Sequence, residues 1–138
     1  SLKGLFISLE GIDGCGKGEQ ATRLAKWLFD LNKENHVFLT REPTGKGFGK
    51  KVRKIIEGDS DAQTNAQAYL DNIVLDRKAH AQLINELVKK EFIVVSDRFK
   101  ESTFAFQQAQ GISEREIREA HAGIIDSDLT ILLDVPVD

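Results

Sequence analysis

The stretch that decides the fold is Leu5-Phe-Ile-Ser-Leu-Glu-Gly-Ile-Asp-Gly-Cys-Gly-Lys17. It opens with a short apolar run at residues 5–9, which has the length and composition of a buried strand. A glycine-rich turn at residues 11–18 follows. Beyond the turn, apolar residues recur at helical spacing until an exit at residues 32–35: Ala21, Leu24, Ala25, Leu28 and Leu31. A strand, a glycine-rich turn and a helix in this order predict a βα unit.

The turn itself, Gly11-Ile-Asp-Gly-Cys-Gly-Lys17, matches the G-x-x-x-x-G-K core of a phosphate-binding loop, or P-loop. Its glycines let successive backbone N–H groups curl around a phosphate chain, and the N-terminus of the following helix adds a positive dipole. Lys17 then reaches the outer phosphates as a point charge. The motif predicts ATP binding by the loop and the start of the helix: Gly11, Asp13, Gly14, Cys15, Gly16, Lys17, Gly18 and Glu19.

Two other interpretations of the turn are weaker. A tight turn without a ligand is disfavoured by the position between a strand and a helix. A dinucleotide-binding loop would need the pattern G-x-G-x-x-G, but position 19 is Glu19 and no acidic residue ends the second strand. Cys15 is most simply a small loop residue among glycines. Its place beside Lys17 and a helix N-terminus is also the setting of alkylatable thiols, which is the alternative for that residue.

Position 18 departs from the motif. A serine or threonine normally follows the P-loop lysine, because its hydroxyl holds Mg²⁺, but this chain has Gly18. The carboxylate of Glu19 is an alternative ligand, although its charge would repel a triphosphate. The motif therefore predicts a phosphate cradle and leaves the coordination of Mg²⁺ unexplained.

Apolar strands alternate with helices along the rest of the chain. Strands are predicted at residues 37–39, 92–95 and 129–133, and helices around residues 52–56, 64–90 and 103–110, with a capping box at residues 113–116 opening one more. The nearly all-apolar run at 92–95 predicts a strand buried on both faces. Strands separated by helices form parallel, right-handed βαβ units. The predicted fold is therefore α/β, a three-layer P-loop fold with helices on both faces of a parallel sheet.

Composition excludes several functional classes. A chain of 138 residues fits one domain, and a net charge of −3 disfavours a general nucleic-acid-coating protein. One cysteine excludes a disulfide framework and a cysteine-rich zinc site. No apolar run approaches the ~18 residues of a membrane span. We therefore expect a cytoplasmic protein without nucleic-acid or membrane partners. The strand that stops abruptly near Asp138 predicts a single P-loop domain over residues 1–138 that is truncated at its C-terminal end.

Five segments in order resemble the thymidylate kinases, a family of P-loop nucleoside monophosphate kinases. They are the P-loop with its acidic Asp13, Thr40-Arg-Glu-Pro43, Leu75-Asp-Arg77 with His80, Ser96-Asp-Arg-Phe99, and Leu132-Leu-Asp-Val-Pro136. Each segment alone is weak evidence, whereas their order and spacing together are specific. The resemblance implies transfer of the ATP γ-phosphoryl group to dTMP, giving dTDP, with Mg²⁺ and a homodimeric enzyme.

The resemblance also implies roles for individual residues. Lys17, Arg98 and Asp97 would be catalytic: Lys17 on the donor phosphates, Arg98 on the acceptor phosphate and Asp97 on Mg²⁺ through water. Asp13 would bond the deoxyribose 3′-hydroxyl, and Arg77 and Thr103 would contact the base. Pro43 would follow a cis peptide bond. The implied dTMP site consists of Asp13, Arg41, Glu42, Ile73, Arg77, Arg98, Thr103 and Phe106.

Simpler structural roles stand beside these expectations. Arg77 next to Asp76 is also compatible with a solvated helix face, and Asp97-Arg98 with a surface pair after a strand. Histidines without metal-ligand spacing are expected at the surface or in helix packing: His36, His80 and His121. Trp27 and the phenylalanines are expected in the core. Five basic residues are expected to form a solvated face: Lys46, Lys50, Lys51, Arg53 and Lys54.

Several positions depart from the family besides Gly18. Ile73 replaces the phenylalanine that usually stacks on thymine, an interaction worth about 1–3 kcal/mol per base, so weaker or altered base selection is expected. Phe106 replaces a tyrosine near the sugar. Gly14 stands where one branch carries a catalytic arginine, which leaves that role to lid arginines, and the chain ends at Asp138 before the lid and last strand. The alternatives are a non-catalytic nucleotide-binding protein and a P-loop kinase for another deoxynucleoside monophosphate or small acceptor.

Overall fold

The structure, a computed structural model, describes residues 4–12, 15–58 and 62–134. Strands and helices alternate as the sequence predicts. In chain order they are β1 (Leu5–Gly11), α1 (Lys17–Leu31), β2 (Val37–Arg41), α2 (Phe48–Glu57), α3 (Ala62–Lys89), β3 (Ile93–Asp97), α4 (Lys100–Ala109), α5 (Glu114–Ala120) and β4 (Leu129–Leu133).

Over the described residues the strands form one parallel sheet in the order β2-β3-β1-β4. In the register of the sheet, Asp97 at the end of β3 lies opposite Leu9 of β1 and Arg41 of β2. The carboxyl ends of three adjacent strands therefore meet at one edge, which is where ligands bind in open parallel sheets.

Two apolar clusters, one on each face of the sheet, make the fold three-layered. Alternate residues of a strand point to opposite faces, so Phe6 joins one cluster and Ile7 the other. On the α1 side, Ile7 packs with Ala21, Ala25 and Leu28. On the other side, residues of α2, α3 and α5 cover the sheet: Val52, Leu70, Ile73, Ile84 and Ile117. The predicted α/β architecture with helices on both faces is confirmed.

The boundaries differ from the prediction by a few residues. Helix α3 begins at Ala62 rather than residue 64, and α4 at Lys100 rather than residue 103. Helix α2 begins at Phe48 rather than residue 52, and β3 begins at Ile93 rather than residue 92. The predicted N-cap of α5 is confirmed, since the Ser113 hydroxyl accepts a hydrogen bond from the Glu116 N–H at 3.1 Å.

The expectation that Trp27 and the phenylalanines lie in the core is confirmed for Phe6 and Phe99 but wrong for Phe29, Phe106 and Trp27. The Trp27 side chain is 59% exposed, because α1 turns Ala21, Ala25 and Leu28 toward the sheet and Trp27 lies off that stripe. The five basic residues from Lys46 to Lys54 are exposed as expected. None of the described helices is long and apolar enough to cross a membrane.

Adjacent residues of α3 test the packing of this helix. Ile84 is fully buried, whereas Leu83 is 43% exposed. We expect Ile84→Ala to lower the free energy of unfolding by about 2–5 kcal/mol, because it removes buried methyl groups and leaves a cavity. Leu83→Ala is the control and should cost about 0.5 kcal/mol. Urea denaturation of both variants measures the difference, and equal losses would contradict the assigned core face.

Candidate active site

The phosphate-binding loop connects β1 to α1. Gly16 is the N-cap of α1 with φ of 86°, a left-handed conformation that favours glycine. Lys17 is buried, and its Nζ donates a hydrogen bond to the Ile12 carbonyl at 2.9 Å and lies 3.7 Å from the Cys15 Sγ. The ammonium group is thus folded over the loop that would hold a phosphate. Asp13 and Gly14, two of the predicted binding residues, lie outside the described residues.

A carboxylate faces the first turn of α1. A Cβ atom built on Gly18 would lie 3.4 Å from Asp97 Oδ2, so Asp97 lies beside the position that a serine or threonine side chain normally occupies. The other oxygen, Oδ1, is buried and has no hydrogen-bond partner among the described residues. A buried carboxylate oxygen without a partner suits a hard cation such as Mg²⁺, or a water bound to it.

The described residues contain no group of three His, Cys, Asp or Glu side chains placed to hold a metal ion. This is compatible with Mg²⁺, which usually keeps several waters and binds through one or two carboxylates and substrate phosphates. Asp97 therefore fits a role in Mg²⁺ binding that is shared with water and nucleotide.

Arg98 follows Asp97 in a strained turn. Its φ is 78°, in the left-handed region that a non-glycine residue rarely adopts. Backbone and side-chain contacts hold this turn: the Arg98 N–H donates to the Leu9 carbonyl at 2.9 Å, and the Ser96 hydroxyl donates to the Arg98 carbonyl at 2.8 Å. Strain of this kind persists where the surrounding contacts fix the conformation.

A cavity of about 360 Å³ opens beside this turn. It brings together the described residues that were predicted to bind dTMP and the adjacent carboxylate: Arg41, Glu42, Ile73, Arg77, Arg98, Thr103, Phe106 and Asp97. Asp97 and Arg98, for which a surface pair was the alternative, are both half-buried and line this cavity. Tyr69, which was not among the predicted binding residues, also lines the cavity: its ring lies 5.1 Å from that of Phe106, and the two form an aromatic wall. Ile73 is 2% exposed and belongs both to the cavity wall and to the core.

A buried charge network lies behind the cavity. Arg77 is 1% exposed, so the solvated-face interpretation of this residue is wrong. Its Nε donates to Glu42 Oε1 at 2.7 Å, and its Nη1 lies 2.8 Å from His121 Nε2. His80 Nδ1 lies 2.8 Å from Glu42 Oε2, and its Nε2 lies 2.7 Å from the Thr40 hydroxyl. The network joins the loop after β2 to α3 and to the end of α5.

The three histidines lie in the two settings that were expected for them. His36 is exposed at the surface, whereas His80 and His121 are each about 5% exposed and pack between elements, hydrogen-bonded to Glu42 and to Arg77. The contacts fix the tautomer of His121. Its Nδ1 lies 2.8 Å from the Ile117 carbonyl, which can only accept, and Arg77 can only donate. His121 is therefore neutral, with the proton on Nδ1 and the Nε2 lone pair facing Arg77.

Burial and nearby charges shift the protonation equilibria of the network. Burial lowers the pKa of His121 to about 4, with the Ile117 carbonyl opposing and the charges of Arg77 and Lys100 adding to the shift. For Glu42, burial alone would raise the pKa, but the charge of Arg77 and the contacts with His80 together hold it below the usual value. Glu42 is thus an anion and His121 a neutral acceptor, and both orient the Arg77 guanidinium.

The peptide bond between Glu42 and Pro43 is cis, as the resemblance implied. Beyond it, Asp76 fixes the loop: its carboxylate accepts from the Thr44 N–H at 2.8 Å and from the Thr44 hydroxyl at 2.6 Å. Two adjacent α3 residues, Asp76 and Arg77, therefore hold the two sides of this proline turn.

The comparison with protein-family models decides the relationship: residues 9–138 match the model described as Thymidylate kinase. The chain belongs to the thymidylate kinase family. The probable thymidylate kinase of Thermococcus gammatolerans is 38% identical over 141 residues, covering 97% of this chain and 67% of that protein. The thymidylate kinase of Prochlorococcus marinus strain SARG is 36% identical, covering 99% of this chain and 66% of that protein. The chain thus spans about two thirds of their length.

The fold places the chain in the same family. The crystal structure of thymidylate kinase from Ehrlichia chaffeensis superposes with a TM-score of 0.83 at 33% identity, covering 96% of this chain and 73% of that chain. The predicted resemblance to thymidylate kinases is therefore confirmed.

The lowered pKa of His121 predicts a pH-dependent stability. Between pH 6.5 and about 4, the unfolded chain protonates this residue and the folded chain does not, so stability falls as the pH falls through this window. We expect His121 to contribute a loss of about 2 kcal/mol between pH 7 and 5, read as the difference between the wild type and His121→Gln in urea denaturation.

Glu42, with its lowered pKa, loses its contribution only as the pH falls below its usual value of 4.5, so measurements at pH 5 and above separate the two groups. The exposed His36→Gln variant is the control and should keep the wild-type pH dependence. An unchanged dependence in His121→Gln would show that His121 is not held neutral by the fold.

Proposed function

We propose that this protein is a thymidylate kinase, which transfers the γ-phosphoryl group of ATP to dTMP in nucleotide biosynthesis, and that residues 1–138 belong to one P-loop kinase domain. The observation that carries the proposal is that the P-loop, as donor half-site, and the cavity, as acceptor half-site, meet at the end of β3. Asp97 faces the P-loop helix at Gly18, and both Asp97 and Arg98 line the cavity that holds the candidate acceptor residues.

The donor half-site is the P-loop. The loop amides and the N-terminus of α1 suit the β- and γ-phosphates of ATP. In the structure the Lys17 ammonium donates to the Ile12 carbonyl, a neutral acceptor. A phosphate oxygen is a stronger, charged acceptor, so ATP binding would draw this ammonium from the carbonyl to the donor phosphates.

Mg²⁺ would be held by Asp97 together with water and nucleotide oxygens. When bound, the ion supplies positive charge that neutralises the phosphates around the transferred group. Gly18 contributes no hydroxyl, so a water molecule would have to take the place of that ligand beside Asp97. Gly18 thus changes how the ion is held but preserves the carboxylate.

The acceptor half-site would hold dTMP with its phosphate at Arg98 and its base toward Arg77. Arg77 donates to Glu42 and faces a neutral His121, so its remaining N–H groups suit a carbonyl oxygen of a base. Thr103 is a second base contact, and Asp13 would bond the sugar. A dTMP phosphate oxygen attacks the γ-phosphorus, the bond to the β–γ bridging oxygen breaks, and ADP leaves with that electron pair.

Homodimerisation and a cytoplasmic location are also part of the proposal. On α3, Ile73 and Val74 are buried in the core and Tyr69 lines the cavity, so these three residues are not available to an interface. An interface along α3 would instead use Leu75 and Leu83, which are 41% and 43% exposed.

Lys17→Ala tests the donor half-site. In the full-length protein that contains this chain, we expect the rate of ADP release from Mg-ATP and dTMP to fall by about 10²–10³. The variant lacks the lysine ammonium, whose positive charge stabilises the negative phosphoryl group during transfer. Lys26→Ala is the control, since Lys26 lies on the same helix but is exposed and pairs with Asp30. Circular dichroism checks that both variants fold. Unchanged turnover in Lys17→Ala would contradict the proposal.

The same assay separates the alternatives. Turnover led by dUMP, dGMP or dCMP would keep the chemistry and change the substrate. ATP binding by the wild-type protein without turnover of any of the four acceptors would support the non-catalytic interpretation, which Gly18 favours.

Gly18→Ser tests the Mg²⁺ contact. Gly18 has ordinary helical backbone, so a side chain is tolerated, and a serine hydroxyl would lie near Asp97. We expect the Mg²⁺ concentration for half-maximal turnover to fall by about 3- to 10-fold, the effect of one added hydrogen bond or ligand. Gly18→Ala adds the same Cβ without the hydroxyl and should leave the requirement at the wild-type value. An equal response of the two variants would contradict the assignment.

A further inference from the structure

Glu10 is a buried carboxylate that holds the start of α4 to β1. It is 1% exposed and precedes the first glycine of the P-loop. Its Oε1 accepts from the Phe99 N–H at 2.7 Å and from the Ser102 hydroxyl at 3.1 Å. Its Oε2 accepts from the Ser102 N–H at 2.7 Å. Sequence reasoning missed this residue because its partners lie about ninety positions away.

These contacts replace a local helix cap. The N-cap of α4 is Phe99, whose apolar side chain cannot accept a hydrogen bond from the first turn. Glu10 supplies the missing acceptor from another strand, and its negative charge lies at the positive end of the helix. Two backbone N–H groups that the helix leaves unpaired are thereby satisfied.

The capped turn is the one that carries Arg98. Phe99 directly follows Arg98, and Arg98 has a φ of 78°, so its backbone direction depends on contacts on both sides. On one side its own N–H is held by the Leu9 carbonyl of β1. On the other side the Phe99 N–H is held by Glu10, also of β1. The strand that leads into the P-loop therefore fixes the turn that presents Arg98 to the acceptor cavity.

We propose that Glu10 is a positioning residue for phosphoryl transfer, which fixes Arg98 relative to the P-loop so that acceptor and donor phosphates are held in register. This inference rests on the proposed function, because Arg98 must be the acceptor-phosphate ligand. Glu10 itself touches neither substrate. Its effect should therefore appear in the use of dTMP and in the rate of transfer, and not in the binding of ATP alone.

The arrangement requires a carboxylate and not only a side chain of the same shape. Each oxygen of Glu10 accepts from a backbone N–H, and a glutamine can accept at one of its two terminal atoms only. Burial raises the pKa of Glu10, the N–H groups of Phe99 and Ser102 oppose that rise, and the neighbouring Glu101 adds to it. Among the described residues, Arg98 and Asp134 are the other charged groups that line the same cleft as Glu10 and Glu101.

Glu10→Gln tests the inference, with Glu101→Gln as the matched control. Glu101 is exposed and lies in the first turn of α4, which Glu10 caps. The control substitution therefore removes a neighbouring negative charge but no capping hydrogen bond. For Glu10→Gln we expect KM for dTMP to rise and kcat to fall, with kcat/KM about 10- to 100-fold lower, the effect of one charge-assisted hydrogen bond replaced by an unpaired donor. The Kd for ATP, measured by calorimetry without dTMP, should stay at the wild-type value, and Glu101→Gln should match the wild type throughout.

Each other outcome overturns the inference. Equal losses of ATP and dTMP binding in Glu10→Gln would show that Glu10 only stabilises the fold. Loss of the fold in both Glu10→Gln and the charge-retaining Glu10→Asp, measured by circular dichroism, would show the same. Wild-type kinetics in Glu10→Gln would show that the turn does not need the carboxylate. A wild-type protein that neither binds nor turns over dTMP would instead refute the proposed function, and the role of Glu10 with it.

Discussion

The structure depends on the register of one strand. Asp97 ends the central strand β3 opposite Leu9 of β1 and Arg41 of β2, so the three chain segments that follow these strands leave the sheet at one edge. The first segment is the P-loop, the second is the Glu42–Pro43 turn and the third is the Arg98 turn. A shift of β3 by one residue would reverse the faces of its side chains and remove Asp97 from this edge. The apolar strands thus fix the site as well as the core.

A second constraint is electrostatic. Burying Arg77, Glu42 and two histidines costs desolvation energy that well-packed apolar residues would not incur, so a buried ion pair is weak evidence for stability. What the network supplies is orientation. Arg77 donates to an anion and to a neutral imidazole whose own proton is held by the Ile117 carbonyl. A guanidinium fixed on two sides can present its other N–H groups in one direction only, into the cavity.

The sequence predicts the parts that depend on local pattern. The strand–helix alternation, the P-loop and the Ser113 cap can be predicted from the spacing of nearby residues. The family resemblance identifies most of the residues that line the cavity. The roles of Glu10 and His121 could not be found in this way, because each side chain contacts residues that are distant in sequence and that only the folded chain brings together. Trp27 was placed in the core by its residue type, whereas the helical stripe of α1 leaves it outside. The type of a residue predicts its burial poorly when the residue lies on the side of a helix that faces away from the sheet.

Three of the expected departures from the family, Gly18, Ile73 and Phe106, lie where ligands would bind, and Ile73 also belongs to the core. Gly18 faces Asp97, and Phe106 stands 48% exposed at the cavity, paired with Tyr69. Ile73 is itself part of the core, so an aliphatic residue there keeps the packing while Tyr69 and Phe106 retain aromatic surface beside it. A protein that had lost base binding would have no reason to keep Arg77 buried and doubly paired. The pattern therefore argues for altered metal and base contacts in a working kinase, and not for a phosphate-binding relic.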